Sequence, residues 1–82
     1  MATPLAEIVR HKLDAGTLPL DTPKNLWKGI GSGKACSACE AVIVSADVEF
    51  EPQYNDGRGV VRFHVGCHGI WEVERRRRRN VL

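Results

Sequence analysis

Leu5, Ile8, Val9 and Leu13 recur at the spacing of one helical face, and polar residues fill the positions between them. Thr3-Pro4 ahead of them reads as a cap followed by proline at the first helical position. Gly16 suits a left-handed stop. The pattern predicts an N-terminal helix of about 10–12 residues, too short to be stable alone in water. It must dock. His11 falls on its polar side, at the surface. Further on, Val48 and Phe50 alternate with Glu49 and Glu51, so a strand is expected with one apolar and one acidic face. Val61, Phe63 and Val65 alternate with Arg62 and His64. The turn cluster PQYNDGRG lies between the two runs and makes them a β-hairpin, with Arg62 facing Glu49 or Glu51 across the strands. From Cys67 the segment CHGIWEVERRRRRN reads as a second helix, supported by Glu72–Arg76 and Glu74–Arg78 pairs four residues apart.

Residues 17–34 carry Pro19, Pro23, Gly29, Gly31 and Gly33 and read as a linker. The chain then divides into an N-terminal helix (1–16), a Pro/Gly-rich linker (17–34), a hairpin–helix module (35–74) and an Arg-rich tail (75–82). The fold class is α+β, a small hairpin flanked by N- and C-terminal helices. Its expected core is Leu5, Ile8, Val9, Leu13, Ile43, Val48, Phe50, Val61, Phe63, Ile70 and Trp71.

At 82 residues the chain buries little apolar surface, and domains of this size commonly rely on a disulfide, a metal or a partner subunit. There is no membrane-length apolar run and no secretory signal, so the expected location is the reducing cytoplasm. Three cysteines in that compartment favour metal or redox chemistry over structural disulfides.

The cysteines are spaced in a way that singles out one chemistry. Cys36-x2-Cys39 is followed, after 24 intervening residues, by His64-x2-Cys67. Two ligands two residues apart wrap one ion across a tight turn, and the hairpin folds the two pairs together. Three thiolates and an imidazole make a closed tetrahedral set that suits structural Zn2+, while oxygen-seeking magnesium and calcium are disfavoured. His68 adjoins Cys67 and competes with His64 for the fourth position. The two-residue gap favours His64, because neighbouring residues rarely point at one ion. Three small buried thiols without an ion would explain each cysteine but not the paired spacing. A thioredoxin-like redox role for CSAC is a distant alternative, since no helix opens at Cys36 within a βαβ unit. Covalent haem attachment is excluded because Glu40, not histidine, follows Cys39. GIGSGK is not a Walker loop: Ala35 follows Lys34, and Lys28 occupies the first glycine position. Cys–His nucleophilic catalysis needs a pocket and an oxyanion hole for which the chain has little room. The expectation is a non-enzyme with no small-molecule substrate.

CSAC, a hairpin, FHVGC and a helix carrying Trp71 together resemble a treble-clef zinc finger. The pattern is similar to the first zinc module of a LIM domain, which also runs from CxxC to FHxxC. It also resembles small uncharacterised bacterial proteins with GSG-x-x-C-x-x-C and FH-x-x-C. The resemblance covers residues 36–71 and implies zinc on Cys36, Cys39, His64 and Cys67. The second LIM site has no counterpart, because residues 68–82 contain no cysteine. That counts against LIM-type docking; the expected function is instead an adaptor or interaction module in which the N-terminal helix, Trp27 and the hairpin present a surface to an unknown protein partner.

Charge supplies the rival. Residues 1–57 hold five Lys/Arg against eight Asp/Glu, and residues 58–82 seven Arg against two Glu. The basic charge therefore belongs to the C-terminal end, in Arg75, Arg76, Arg77, Arg78 and Arg79. With Arg58 and Arg62 it offers a sequence-nonspecific hold on nucleic-acid phosphates. The plainer reading is a solvated, fraying helix end. No interleaved aromatics offer stacking platforms.

Overall fold

A computed structural model of the chain describes residues 4–54, 57 and 59–80. Thr3, Asn55, Asp56 and Arg58, to which the sequence assigns a cap, part of a turn and a basic contact, lie outside the described residues. Helix α1 (Pro4–Asp14) opens on the proline. At its end Gly16 adopts φ +78°, Thr17 N–H donates to the Lys12 carbonyl at 2.9 Å and Gly16 N–H to that of Leu13 at 3.2 Å. This closure answers carbonyls the last turn leaves open, and a residue without Cβ suits the turning point. Strands β1 (Asn25–Ile30), β2 (Val48–Gln53) and β3 (Phe63–His64) and helix α2 (Val65–Asn80) follow. The strands form one antiparallel sheet in the order β1-β2-β3. The architecture is thus α+β, with a helix at each end of a small antiparallel sheet. No helix of the described residues is long and apolar enough to cross a membrane.

Phe63 and Trp71 form the centre of the core. Both are fully buried, and their rings stack at 5.1 Å. Phe50 lies opposite Phe63 in the sheet, so α2 packs on the face these two residues share. Truncating aromatics at such positions typically costs about 3–5 kcal/mol. Trp71 Nε1–H donates to the Pro19 carbonyl at 3.0 Å, and Leu18 is buried with Val9, Leu13 and Ile43. The segment after α1 is therefore built into the core.

Arg10 Nη1 donates to Glu74 Oε2 at 3.2 Å, and Arg78 Nη2 to Asp14 Oδ1 at 2.8 Å. These contacts set α1 alongside α2, running in the same direction. Parallel helices bring like dipole ends together. Arg78 offsets this at one end, donating also to the Arg10 carbonyl in the last turns of α1.

Three expectations are corrected. Strand β1 lies inside the segment read as linker. All six of its positions are exposed or half-exposed, so no apolar alternation marks it, and its definition comes from pairing Asn25–Ile30 with Gln53–Val48. On β2 the faces do not separate as apolar and acidic: Val48 is 46% exposed and Glu49 only 1%. The Glu49 carboxylate is buried because Ser32 N–H and Oγ–H donate to Oε1 at 3.0 and 2.7 Å, and Arg62 Nε lies 3.4 Å from Oε2. Burial alone would raise this carboxyl's pKa. The Ser32 hydrogen bonds and the Arg62 charge outweigh it and hold the group below the usual range. Finally, Ile8 turns to solvent instead of joining the core, because the buried stripe of α1 runs through Val9 and Leu13.

Candidate metal centre

Residues 33–43 double back on themselves and present the first ligand pair. Ile43 N–H donates to the Lys34 carbonyl at 2.9 Å, Cys36 N–H to that of Ala41 at 2.9 Å, and Glu40 N–H to that of Cys36 at 3.0 Å. The reversal requires a left-handed residue just past Cys39, and Glu40 takes it at φ +67°. The second pair sits where the sheet hands over to the helix, with His64 ending β3 and Cys67 in the first turn of α2.

Ser37 and the Arg62 backbone join the two halves. Ser37 N–H donates to the Arg62 carbonyl at 2.7 Å, and Arg62 N–H to Ser37 Oγ at 3.1 Å. This reciprocal pair fixes the CxxC turn beside the strand that carries His64. Lys12 secures it from α1. Its ammonium donates to the Ser37 carbonyl at 2.9 Å, the Ala38 carbonyl at 3.0 Å and Glu40 Oε2 at 2.9 Å. An ammonium has three protons, and here each has an acceptor. Nothing in the sequence marks Lys12 for this role, since its three oxygens come from residues 25 to 28 positions away.

The four ligand atoms of Cys36, Cys39, His64 and Cys67 lie within 4.8 Å of one another. Zn–S bonds of about 2.3 Å and Zn–N bonds of about 2.0–2.1 Å imply N···S edges of about 3.6 Å in a tetrahedron. His64 Nδ1 stands 3.4 Å from Cys39 Sγ and 3.9 Å from Cys67 Sγ, on either side of that value. The other ring nitrogen, Nε2, is 3.3 Å from the Val42 carbonyl. A proton on Nε2 donated to that oxygen leaves Nδ1 free to ligate and orients the ring. His68 lies elsewhere, edge-on to Phe50 at 4.8 Å and 5.7 Å from Trp71, within the aromatic cluster.

The electrostatics fit the same chemistry. Burial by itself raises the Cys36 thiol, but the N–H groups of Cys39, His64 and Ala38 turn toward its sulfur and bring it down to about 7. Burial and the neighbouring Cys36 and Cys39 sulfurs push Cys67 up to about 12. Burial works to lower His64, yet Cys36 and the Val42 carbonyl raise it overall. Three sulfurs this close repel when ionised, and a divalent cation among them removes the repulsion. The donor set, spacing and partial burial are those of a structural Cys3His zinc site.

The basic candidates do not gather into one face. Arg75 is 4% exposed; its guanidinium donates to Glu72 Oε1 at 2.7 and 3.1 Å and lies 5.0 Å from the Trp71 ring centre. Arg76 pairs with Glu72 at 3.0 Å and Arg77 with Glu74 at 3.6 Å. Arg78 holds Asp14, and Arg79 donates to Thr22 Oγ1. Arg62 pairs with Glu49. α2 runs to Asn80, so the segment read as a tail is helix through that residue. Comparison of the chain with models of known protein families, with curated proteins and with solved structures finds no match.

Proposed function

We propose that this protein is a small structural zinc module of the treble-clef type, serving as a protein-interaction or adaptor domain and doing no chemistry of its own. The observation that carries the reading is the convergence of Cys36, Cys39, His64 and Cys67 within 4.8 Å. A turn bearing CxxC, a hairpin and a helix with a ligand in its first turn are the parts of a treble clef. Because all four positions are filled by protein, none remains for a reacting water. A redox reading of CSAC draws no support from the geometry, since Cys36 and Cys39 lie on a turn and not at the start of a helix. The nucleic-acid reading keeps mainly Arg76, Arg77 and Arg79: the first two are each 69% exposed but already paired with glutamates, and the exposed Arg79 donates to Thr22 Oγ1.

Native mass spectrometry with elemental analysis tests the metal: one zinc per chain is expected, and Cys36→Ser should lower the content sharply. Cobalt substitution should give the intense visible bands of a tetrahedral thiolate site. A native protein free of zinc that refuses cobalt would end this reading. Gel-shift titration on duplex DNA and on RNA at low salt tests the rival, and tight, salt-sensitive binding would displace the adaptor role.

A further inference from the structure

Strand β1 lies at an outer edge of the sheet. Gly31 N–H donates to the Asp47 carbonyl at 2.9 Å, in phase with the β1–β2 register. The alternation of an antiparallel ladder then turns the N–H and C=O groups of Asn25, Trp27 and Gly29 toward β2 and those of Leu26, Lys28 and Ile30 outward. Among the described residues no strand pairs with that edge. Sheet edges are normally blunted by charged side chains, lysine above all, by proline, by inward-pointing charge or by a covering element, and of these β1 carries only Lys28. Strand β1 has no proline, and its Leu26, Trp27 and Ile30 are 45%, 45% and 72% exposed. The Trp27 ring folds over Gly29, where an added Cβ would come within 2.5 Å of it, so the indole lies along the strand and leaves the edge clear.

We propose that this edge pairs with the same edge of a second copy, antiparallel about a two-fold axis, joining two three-stranded sheets into one. This inference stands on β1 alone and does not depend on the metal reading. The strand's own charges select its register. A two-fold axis perpendicular to the sheet, with outward-facing residues hydrogen-bonded, pairs even positions with even positions. Centring on Lys28 sets Lys28 against Lys28 of the second copy. Centring on Leu26 sets Lys28 against Lys24 of the second copy. Like charges directly opposite are destabilising. Centring on Trp27 or on Gly29 avoids both clashes, but a Gly29 centre overlaps only residues 28–30 of the strand; with Trp27 at the centre, Leu26 lies opposite Lys28 of the second copy, and Trp27 lies opposite Trp27 of the second copy. The two Leu26 side chains then become diagonal neighbours, within reach across the strands. Trp27 matches itself, Leu26 lies beside the stem of Lys28, and no cation stands directly opposite a cation, the two Lys28 lying on the other diagonal. A net charge of only +2 offers little general repulsion. Such a contact is isologous and closed, so it ends at the dimer.

Sedimentation velocity of the full, zinc-loaded chain, from micromolar to near-millimolar concentration, tests this. A reversible monomer–dimer equilibrium with no larger species is expected. Lys28→Pro removes an outward N–H and leaves the side facing β2 intact, so it should weaken the dimer by about tenfold or more while circular dichroism stays unchanged. Should that variant fail to fold, Trp27→Lys serves instead: it adds like charges at the symmetry centre, at a side chain outside the buried core whose ring lies over Gly29 of its own strand. Leu26→Glu sets a carboxylate opposite Lys28 of the second copy, twice, and should make the dimer salt-sensitive without abolishing it. A monomer at every concentration, growth beyond the dimer, or a dimer indifferent to both Lys28→Pro and Trp27→Lys overturns the proposal.

Discussion

Cys36, Cys39, His64 and Cys67 come from two segments 24 residues apart and meet within 4.8 Å. Arg75 to Arg79 are consecutive, and their partners are scattered over α1, α2 and the segment after α1. Ligation demands convergence, so a pair of x2 spacings on either side of a hairpin already describes a geometry. A run of like charges demands nothing of the sort. Successive helical residues point about 100° apart, so each arginine meets whatever its own direction offers. Spacing carries information about a site, and density does not.

The sharpest break of this comparison is removal of one convergent ligand. Cys67→Ser leaves three ligands and a buried hydroxyl. Zinc coupled to folding is worth on the order of 10–16 kcal/mol in small zinc domains, more than a domain of this length holds in net stability, about 4–12 kcal/mol. The variant is expected to lose the near-ultraviolet signal of Trp71, and chelation of the native protein should do the same. A variant that keeps native dichroism and melting would detach the fold from the metal.

Within the arginine run the effects should differ widely between neighbours. Arg75 is buried, doubly bonded to Glu72 and seated by Trp71. Arg75→Ala should cost about 2–4 kcal/mol in denaturant melts with zinc saturating. Arg77, 69% exposed, should cost less than about 0.5 kcal/mol when changed to alanine. Equal costs at the two positions would mean that the run acts as one unit.

A smaller effect separates the metal turn from its support. Lys12→Met keeps the aliphatic stem but removes all three donors, leaving the Ser37 and Ala38 carbonyls to find water. A loss of about 1–2 kcal/mol is expected. It should appear chiefly as about tenfold faster zinc transfer to a competing chelator, because the lost bonds end in the CxxC turn. An unchanged transfer rate beside a lowered melting temperature would confine Lys12 to helix docking.

The sequence made the ligands, the hairpin and both helices readable, because each depends on local spacing. Strand β1 was hidden. Its side chains are half-exposed on both faces, and what defines it is the backbone ladder to β2, which no periodicity records. Glu49 was misplaced for a related reason. Alternation assigns a charged residue to solvent, whereas Ser32, 17 positions upstream, supplies the two hydrogen bonds that let the carboxylate be buried. Lys12 belongs with these. Its role depends on α1 lying beside the CxxC turn, a tertiary fact.

A further small effect is expected at Glu40, and it asks why a glutamate stands where the backbone favours glycine. At φ +67° any residue with a Cβ is disfavoured. Glu40→Gly relieves that strain but gives up the Lys12 contact and adds freedom to the unfolded chain. Glu40→Ala gives up the contact and keeps the strain. The glycine variant should therefore melt a few degrees above the alanine variant, with wild type between them or level with glycine. Zinc transfer should be faster in both than in wild type, since each leaves one proton of Lys12 without its carboxylate. If glycine and alanine melt together, the left-handed turn is not the source of strain at this position. If zinc transfer is unchanged in both, the two carbonyl bonds of Lys12 suffice to hold the turn, and the carboxylate is a surface contact only.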